Sequence, residues 1–388
     1  MTDTFIPDLA LARAVADSAD RLVSVQVFMS GGGAELTSAN ITRELYNAAA
    51  RDKEDPLIYT AAKELLACVK PRDTVVFVTG FFDPPSMIDE MDGPVGAVAL
   101  ARMLCIELDI TPVFLTEVAN MQRMALLAAS LGLEVLDYEL ACTTPFKAAV
   151  LPLPIDHNRA RAEAVRLCET CKPVAMIAIE KPAPCPRGRY HTGKGLDVTD
   201  TIGKVDHVFA EARKRGILTI GIGDGGNEVG MGNILDDVVR IVPTGNIIGT
   251  PLETDLLVVA AIANWGAYAI GATIAAALSM PEAIHSIEEE RRLTGTAASL
   301  GFIDPATGLA NGWTDGTPPV CSESILELLR QMVLLRLGRK NPQHPLQIPR
   351  KWAERHDPNT TIKIWADYLA RKEAAFFAAS SGRQQEPS

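Results

Sequence analysis

The run Gly221–Ile234, GIGDGGNEVGMGNI, limits what this chain can fold into more than any other stretch. It follows a short apolar segment, residues 217–220, whose composition suits a strand buried on both faces of a parallel sheet. Six glycines fall within fourteen residues. Glycine accepts positive φ and lets a ligand come close to the backbone. A loop of this kind, at the carboxyl end of a strand in an open α/β sheet, is where ligands of that architecture bind. Asp224, Asn227 and Glu228 sit among the glycines, and no Lys or Arg does. The run is neither a Walker sequence nor a G-x-G-x-x-G opening a helix, so a phosphate cradle fits it poorly. Two carboxylates and a carboxamide suit a hard divalent cation better. The bland alternative is a glycine-rich turn with solvated acids.

Strand and helix patterns alternate around this loop. Strands are expected over 74–79, 112–115, 134–136, 174–179, 217–222 and 256–262. Helices are expected over 95–107, 119–131, 159–171, 204–215, 284–293 and 323–337, with one more from about Gly266. Pro94 stands where a first helical residue would, and Gly96, Ala97, Ala99 and Ala101 make the helix behind it thin. The alternation predicts an α/β fold: a mainly parallel sheet with helices on both faces, three-layer α/β/α, with right-handed crossovers. The expected organisation is a helical N-terminal segment over 1–70 packed on the main domain, an α/β catalytic domain over 71–338, and a C-terminal extension over 339–388 whose end is disordered. Within the first segment a helix is expected over 59–69, a short strand over 23–28, and a loop or anion-binding nest at Gly31–Gly33.

Composition removes several function classes. The formal net charge of −11 argues against nucleic acid as a partner. Seven cysteines in 388 residues do not make a secreted disulfide framework, and Cys168 and Cys171 fall in one helical stretch without a second pair, so they read as structural. Residues 256–280 carry no charge, but Ala, Gly, Asn264, Trp265 and Tyr268 fit a buried strand and helix better than a membrane span. The N-terminal residues have neither a basic region nor a long apolar one, which makes the cytoplasm the expected location.

Three acidic, glycine-containing loops each follow an expected strand: 87–94, 180–197 and 221–234. In a parallel sheet their strand ends share one edge, so Glu90, Asp92, Glu180, Asp224 and Glu228 can converge. Clustered carboxylates are costly unless they hold a cation. Alone, each is an ordinary solvated acid or helix cap, and Asp92 before Gly93 and Pro94 suits a cap. A helix starting after Gly226 would place Asp224 before its N-terminus and Glu228 in its first turn. Arg187, Arg189 and Lys194 are candidate grips for a substrate carboxylate, or partners in ion pairs. Tyr190 and His191 stand beside them. No serine nucleophile elbow and no His-x-x-x-His pair occurs.

Several of these stretches resemble one known family. Glu90–Ala97 resembles an E-x-D-G-P-x-G-A segment; Ile177–Lys181, Gly188–Tyr190 and Gly195–Asp197 resemble its central loop; Thr219–Asn233 and Asn264–Tyr268 resemble two further signatures. The family is the D-glutamate cyclases, and the resemblance to its C-terminal catalytic domain runs from about Pro71 to Leu337. It implies conversion of D-glutamate to 5-oxo-D-proline with loss of water, with a divalent cation, Mn2+ or Mg2+. The α-amine must attack the γ-carboxylate of the same molecule, and no ATP motif is visible to activate it. Folding the substrate makes the attack intramolecular, worth about 7–11 kcal/mol in favourable cases. The expected assignments are Glu180, Lys181, Asp224 and Glu228 in catalysis, with Arg189, Tyr190, Asn227 and Asn264 holding substrate. Glu90, Asp92, Asp224 and Glu228 are expected to hold the metal. The expected partner is a small amino acid, with no nucleic acid and no membrane, and homo-oligomerisation is left open. The alternatives are a metal-dependent hydrolase or phosphatase on a small anionic metabolite, and a non-catalytic small-molecule-binding protein.

Overall fold

The computed structural model of the chain describes residues 6–27, 41–83, 88–338 and 357–381. Gly31–Gly33 and the last residues of the extension lie outside them. Three helices come first: α1 (Leu9–Val23), α2 (Ile41–Ala50) and α3 (Leu57–Cys68). No strand forms over 23–27, and Phe28 lies outside the described residues. Then follow β1 (Thr74–Val78), the short β2 (Phe82–Asp83) and β3 (Ile88–Asp89), α4 (Pro94–Leu108), β4 (Thr111–Thr116), α5 (Met121–Ser130), β5 (Glu134–Val135), α6 (Tyr138–Ala141), β6 (Lys147–Pro152) and α7 (His157–Cys171). The second half holds β7 (Ala175–Ile179), α8 (Val205–Arg215), β8 (Leu218–Gly223), α9 (Leu235–Ile241), α10 (Gly245–Ile248), β9 (Leu256–Val259), α11 (Ala263–Leu278), α12 (Ile287–Ser299), α13 (Pro319–Arg336) and α14 (Pro358–Ser381).

The main sheet is parallel with strand order β5-β6-β4-β1-β7-β8-β9. Its strands alternate between two cores, because successive side chains of a strand point to opposite faces. Val75, Phe77, Ile177 and Ile220 join the core that also buries α1, α3, α4 and α11. Val76, Val78, Met176 and Ala178 join the core under α7 and α8. The result is three layers. The N-terminal helices belong to the first core, with Val15 and Ile58 fully buried in it. No helix among the described residues is long and apolar enough to cross a membrane.

From β1 the chain moves to β4 on one side and later returns to β7 on the other. The helices follow suit, with α4 on one face and α8 on the opposite one, as right-handed crossovers demand when the direction of travel reverses. The switch opens a crevice beyond the carboxyl ends of β1 and β7, the place where doubly wound sheets bind ligands. Thr79 and Gly80 form one lip, Glu180 and Lys181 the other.

Two helices point their N-termini at this crevice, and each is capped by a residue belonging to the other's approach. Asp92 Oδ1 accepts from Asn264 N at 2.8 Å and Oδ2 from Ala263 N at 2.7 Å, which satisfies the start of α11. Asn264 Oδ1 in turn accepts from Gly93 N at 3.0 Å and Gly96 N at 2.6 Å, which satisfies the start of α4. The helices can meet this closely because residue 96 has no side chain: a Cβ there would lie 2.5 Å from Asn264 Oδ1 and 2.7 Å from its Cα.

Candidate active site

The glycine loop begins where β8 ends. Glu228 folds back over it, its Oε1 accepting from Gly225 N at 3.1 Å and its Oε2 from Gly226 N at 2.8 Å. This explains Gly223 by close approach: a Cβ there would come within 2.9–3.0 Å of Glu228 Cβ, Cγ and Oε2. The helix expected after Gly226 does not form. Glu228 instead makes an antiparallel bridge to Pro182, with Val229 N donating to Lys181 O at 2.9 Å and Ala183 N to Asn227 O at 2.8 Å. The next helical turn starts only at Met231. The backbone is recruited into pairing with the chain beyond β7, which fixes Glu228 beside Glu180.

Glu180 sits at the end of β7 with φ 49, a left-handed conformation unusual for a non-glycine residue and frequent at functional sites. Its Oε2 is buried without a hydrogen-bond partner. Glu90 is delivered differently. Its backbone bridges to Ile303, and Met91 N donates to Ile303 O at 2.7 Å. That bridge also docks the segment carrying Asp304. Asp304 Oδ1 accepts from Gly316 N at 2.8 Å and Ala306 N at 3.3 Å, while Oδ2 accepts from Thr307 N at 3.1 Å. It thereby holds the turn that presents Asp315, itself at φ 47.

Six carboxylates meet here: Glu90, Asp92, Glu180, Asp224, Glu228 and Asp315. Ligating oxygens of Asp92, Asp224 and Asp315 lie within 4.8 Å of one another, and so do those of Glu180, Asp224 and Glu228. Asp315 bonds to both Asp92 and Asp224, and Glu180 to Glu228, pairs that require a shared proton or a cation. Burial is the first cause raising every one of these acids, and neighbouring carboxylates are the next for Glu90, Glu180, Asp224 and Asp315, which are pushed well above the usual range. Asp92 is held to about 6, because three backbone N–H groups oppose its burial. Among the described residues no ion pair reaches any of the six. Asp224 and Asp315 keep partial access to solvent, which gives the cluster a mouth, while the other four are buried. An all-oxygen set with one unpartnered oxygen and no basic neighbour fits a hard divalent cation.

The remaining expected residues fall elsewhere. Lys181 points away from Glu180. Its fully buried ammonium donates to Gly80 O and Glu117 Oε1, both at 2.5 Å. Beside it Asp89 is buried with one oxygen unpartnered, raised by burial and then by Glu117. Arg189 is half exposed and forks onto Asp197. Tyr190 is buried and donates its hydroxyl to Asp206. Asn227 donates to His191 O at 2.9 Å and thereby ties the glycine loop to the 180–197 loop. Asn264 is occupied by its cap and by Met91 O at 3.3 Å. The structure therefore brings Glu90, Asp92, Glu180, Asp224 and Glu228 together, adds Asp315, and leaves Lys181, Arg189, Tyr190 and Asn264 engaged with other groups.

The sequence matches the family described as "D-glutamate cyclase-like, C-terminal" over residues 39–330. This chain belongs to that family. The D-glutamate cyclase-like match begins at residue 39, so it takes in α2 and α3 as well as the sheet, and it encloses all six carboxylates. The chain is also 28% identical over 263 residues to the human protein named D-glutamate cyclase, mitochondrial, an alignment covering 64% of this chain and 38% of that protein. It thus spans well under half the length of that relative. Asp315 is the one member of the cluster not anticipated from sequence. The signal available was weak, a loop rich in Gly, Pro and Asp over 301–319.

Proposed function

We propose that the protein is a divalent-cation-dependent D-glutamate cyclase that converts D-glutamate to 5-oxo-D-proline and water. The observation that carries this reading is the carboxylate cluster at the switch crevice, with Glu180 Oε2 left unpartnered inside it. The residues that would hold the cation are Asp224 with either Asp92 and Asp315 or Glu180 and Glu228. The bound cation would withdraw charge from the substrate carboxylate and stabilise the developing oxyanion.

The chain's own groups supply the rest. Glu90, the cluster carboxylate outside both candidate ligand sets, takes a proton from the substrate ammonium and frees the amine. The amine nitrogen forms a bond to the carbon of the γ-carboxylate and gives up a second proton to the departing oxygen as a carbon–oxygen bond of that carboxyl breaks. Glu90 then returns its proton to the same oxygen, which leaves as water carrying both protons of the former ammonium. Holding the substrate folded would make the attack intramolecular. We place the reaction in the cytoplasm, as a lyase acting on a free amino acid.

The test is NMR of D- and L-glutamate incubated with the protein and Mn2+, with Asp224→Asn alongside. The expected result is replacement of D-glutamate resonances by those of 5-oxoproline with the wild type alone. Unchanged resonances for both enantiomers, together with hydrolysis of a small phosphate ester under the same conditions, would overturn the cyclase in favour of a hydrolase.

A further inference from the structure

We infer that the crevice takes two divalent cations side by side, bridged by the Asp224 carboxylate. One would be held by Asp92, Asp224 and Asp315, the other by Glu180, Asp224 and Glu228. The inference rests on the cation-dependent reading above and concerns how many ions the site needs.

Three observations lead to it. Oxygens around one hard cation lie about 2.0–2.6 Å from it, so no two of its ligands are separated by much more than ~5 Å. Each set of three meets that limit, with ligating atoms within 4.8 Å of one another, but the two sets meet only in Asp224. One ion would serve one set and leave the other carboxylates facing each other. Charge argues the same way, since one divalent cation neutralises two of six buried or half-buried carboxylates and two neutralise four. The third observation is independent of the clustering. Glu180 is 7% exposed, faces Asp224 and Glu228, and leaves Oε2 without a partner, although Asp224 and Asp315 already complete a set with Asp92 on the far side. An orphaned oxygen in the second set is what a ligand to a second ion looks like before the ion is bound. Two ions about 3.5–4 Å apart bridged by one carboxylate form a recurrent clamp for the two oxygens of a substrate group.

The full chain is stripped with chelator and titrated with Mn2+ by calorimetry, and bound metal is counted after gel filtration. Electron paramagnetic resonance then tests whether the ions are exchange-coupled. Expected are two Mn2+ per chain with a coupled multiline spectrum. Asp315→Asn and Glu228→Gln should each retain one ion with an uncoupled spectrum, and Asp224→Asn should lose coupling and most binding. Glu228 also orders its loop, so Asp315→Asn, whose turn is held by Asp304 rather than by its own side chain, keeps the test valid if Glu228→Gln fails to fold. His207→Ala is the control, because His157, Asp206 and His207 form a separate possible set on α7 and α8. A count that falls with His207→Ala, or one uncoupled ion in the wild type, overturns the two-ion inference and leaves the cation-dependent reading standing. No bound Mn2+ overturns both.

Discussion

Asp224→Asn in cation-free protein should make the fold more stable. The Asp224 carboxyl is half-buried, with Asp315, Glu228 and Asp92 as its charged neighbours, and is pushed well above its ordinary 3.8, by burial first and by those carboxylates next. The unfolded chain releases this proton near 3.8, whereas the folded chain keeps it. At pH 7 that retention costs the wild type at most about 4 kcal/mol, from ~1.4 kcal/mol per pH unit over the interval above 3.8. Asparagine has no proton to retain and can still bond to Asp315. Below 3.8 both states of the wild type are protonated and the cost vanishes, so the advantage of the variant opens as pH rises. In chelator at pH 7, Asp224→Asn should gain about 1–4 kcal/mol, shrinking to ~1 kcal/mol or less near pH 4.5. For a chain of this length the thermal midpoint should rise about 1 °C per kcal/mol. Thermal and urea unfolding at both pH values, with chelator or with Mn2+, measure it, and Mn2+ should restore the wild type while leaving the variant unmoved. A variant less stable than wild type at pH 7 in chelator would refute the reasoning, because it would mean that the free carboxylate is stabilised where it stands.

Gly223→Ala should place a methyl against Glu228 and cost about 1–3 kcal/mol of stability, with weaker Mn2+ binding in calorimetry as the carboxylate is displaced. Asn264→Ala removes the acceptor for Gly96 N at the buried start of α4, while Gly93 N keeps Asp92 Oδ1, at about 1–3 kcal/mol for the orphaned group; urea unfolding should show the loss. Arg189→Ala should change stability by less than about 1 kcal/mol, since its pair with Asp197 is exposed, and should leave Mn2+ affinity unchanged; a rise in KM for D-glutamate without a change in kcat would assign it to substrate binding.

The strands with apolar runs between turn residues were readable. Residues 74–78, 175–179 and 218–223 lie in the centre of the sheet, and burial on both faces makes them continuously hydrophobic. The β6 strand was not anticipated. It begins with Lys147, ends with Pro152, is only partly buried, and inserts between β5 and β4. Of the site, the five carboxylates on strand-following loops were legible because a parallel sheet sends all such loops to one edge. Asp315 was not, because it arrives through the Glu90–Ile303 bridge, a contact that no local pattern announces. Asp92 and Asn264 were noticed as polar residues in signature stretches. That each caps the helix of the other depends on a contact 172 residues apart in sequence.

Asp304 fastens Ala306, Thr307 and Gly316 to a single carboxylate, so both ends of the intervening loop are anchored at one point. Residues 306–311 between those anchors are exposed. Lengthening such a loop costs little, about 0.6 kcal/mol for each doubling. This exposed loop can therefore be rebuilt in length and composition while Asp315 stays in register with Asp92 and Asp224. In engineering terms, Asp304 works as a clip: it ties an exposed, replaceable loop to the turn that carries Asp315, so the one can be exchanged without rebuilding the other.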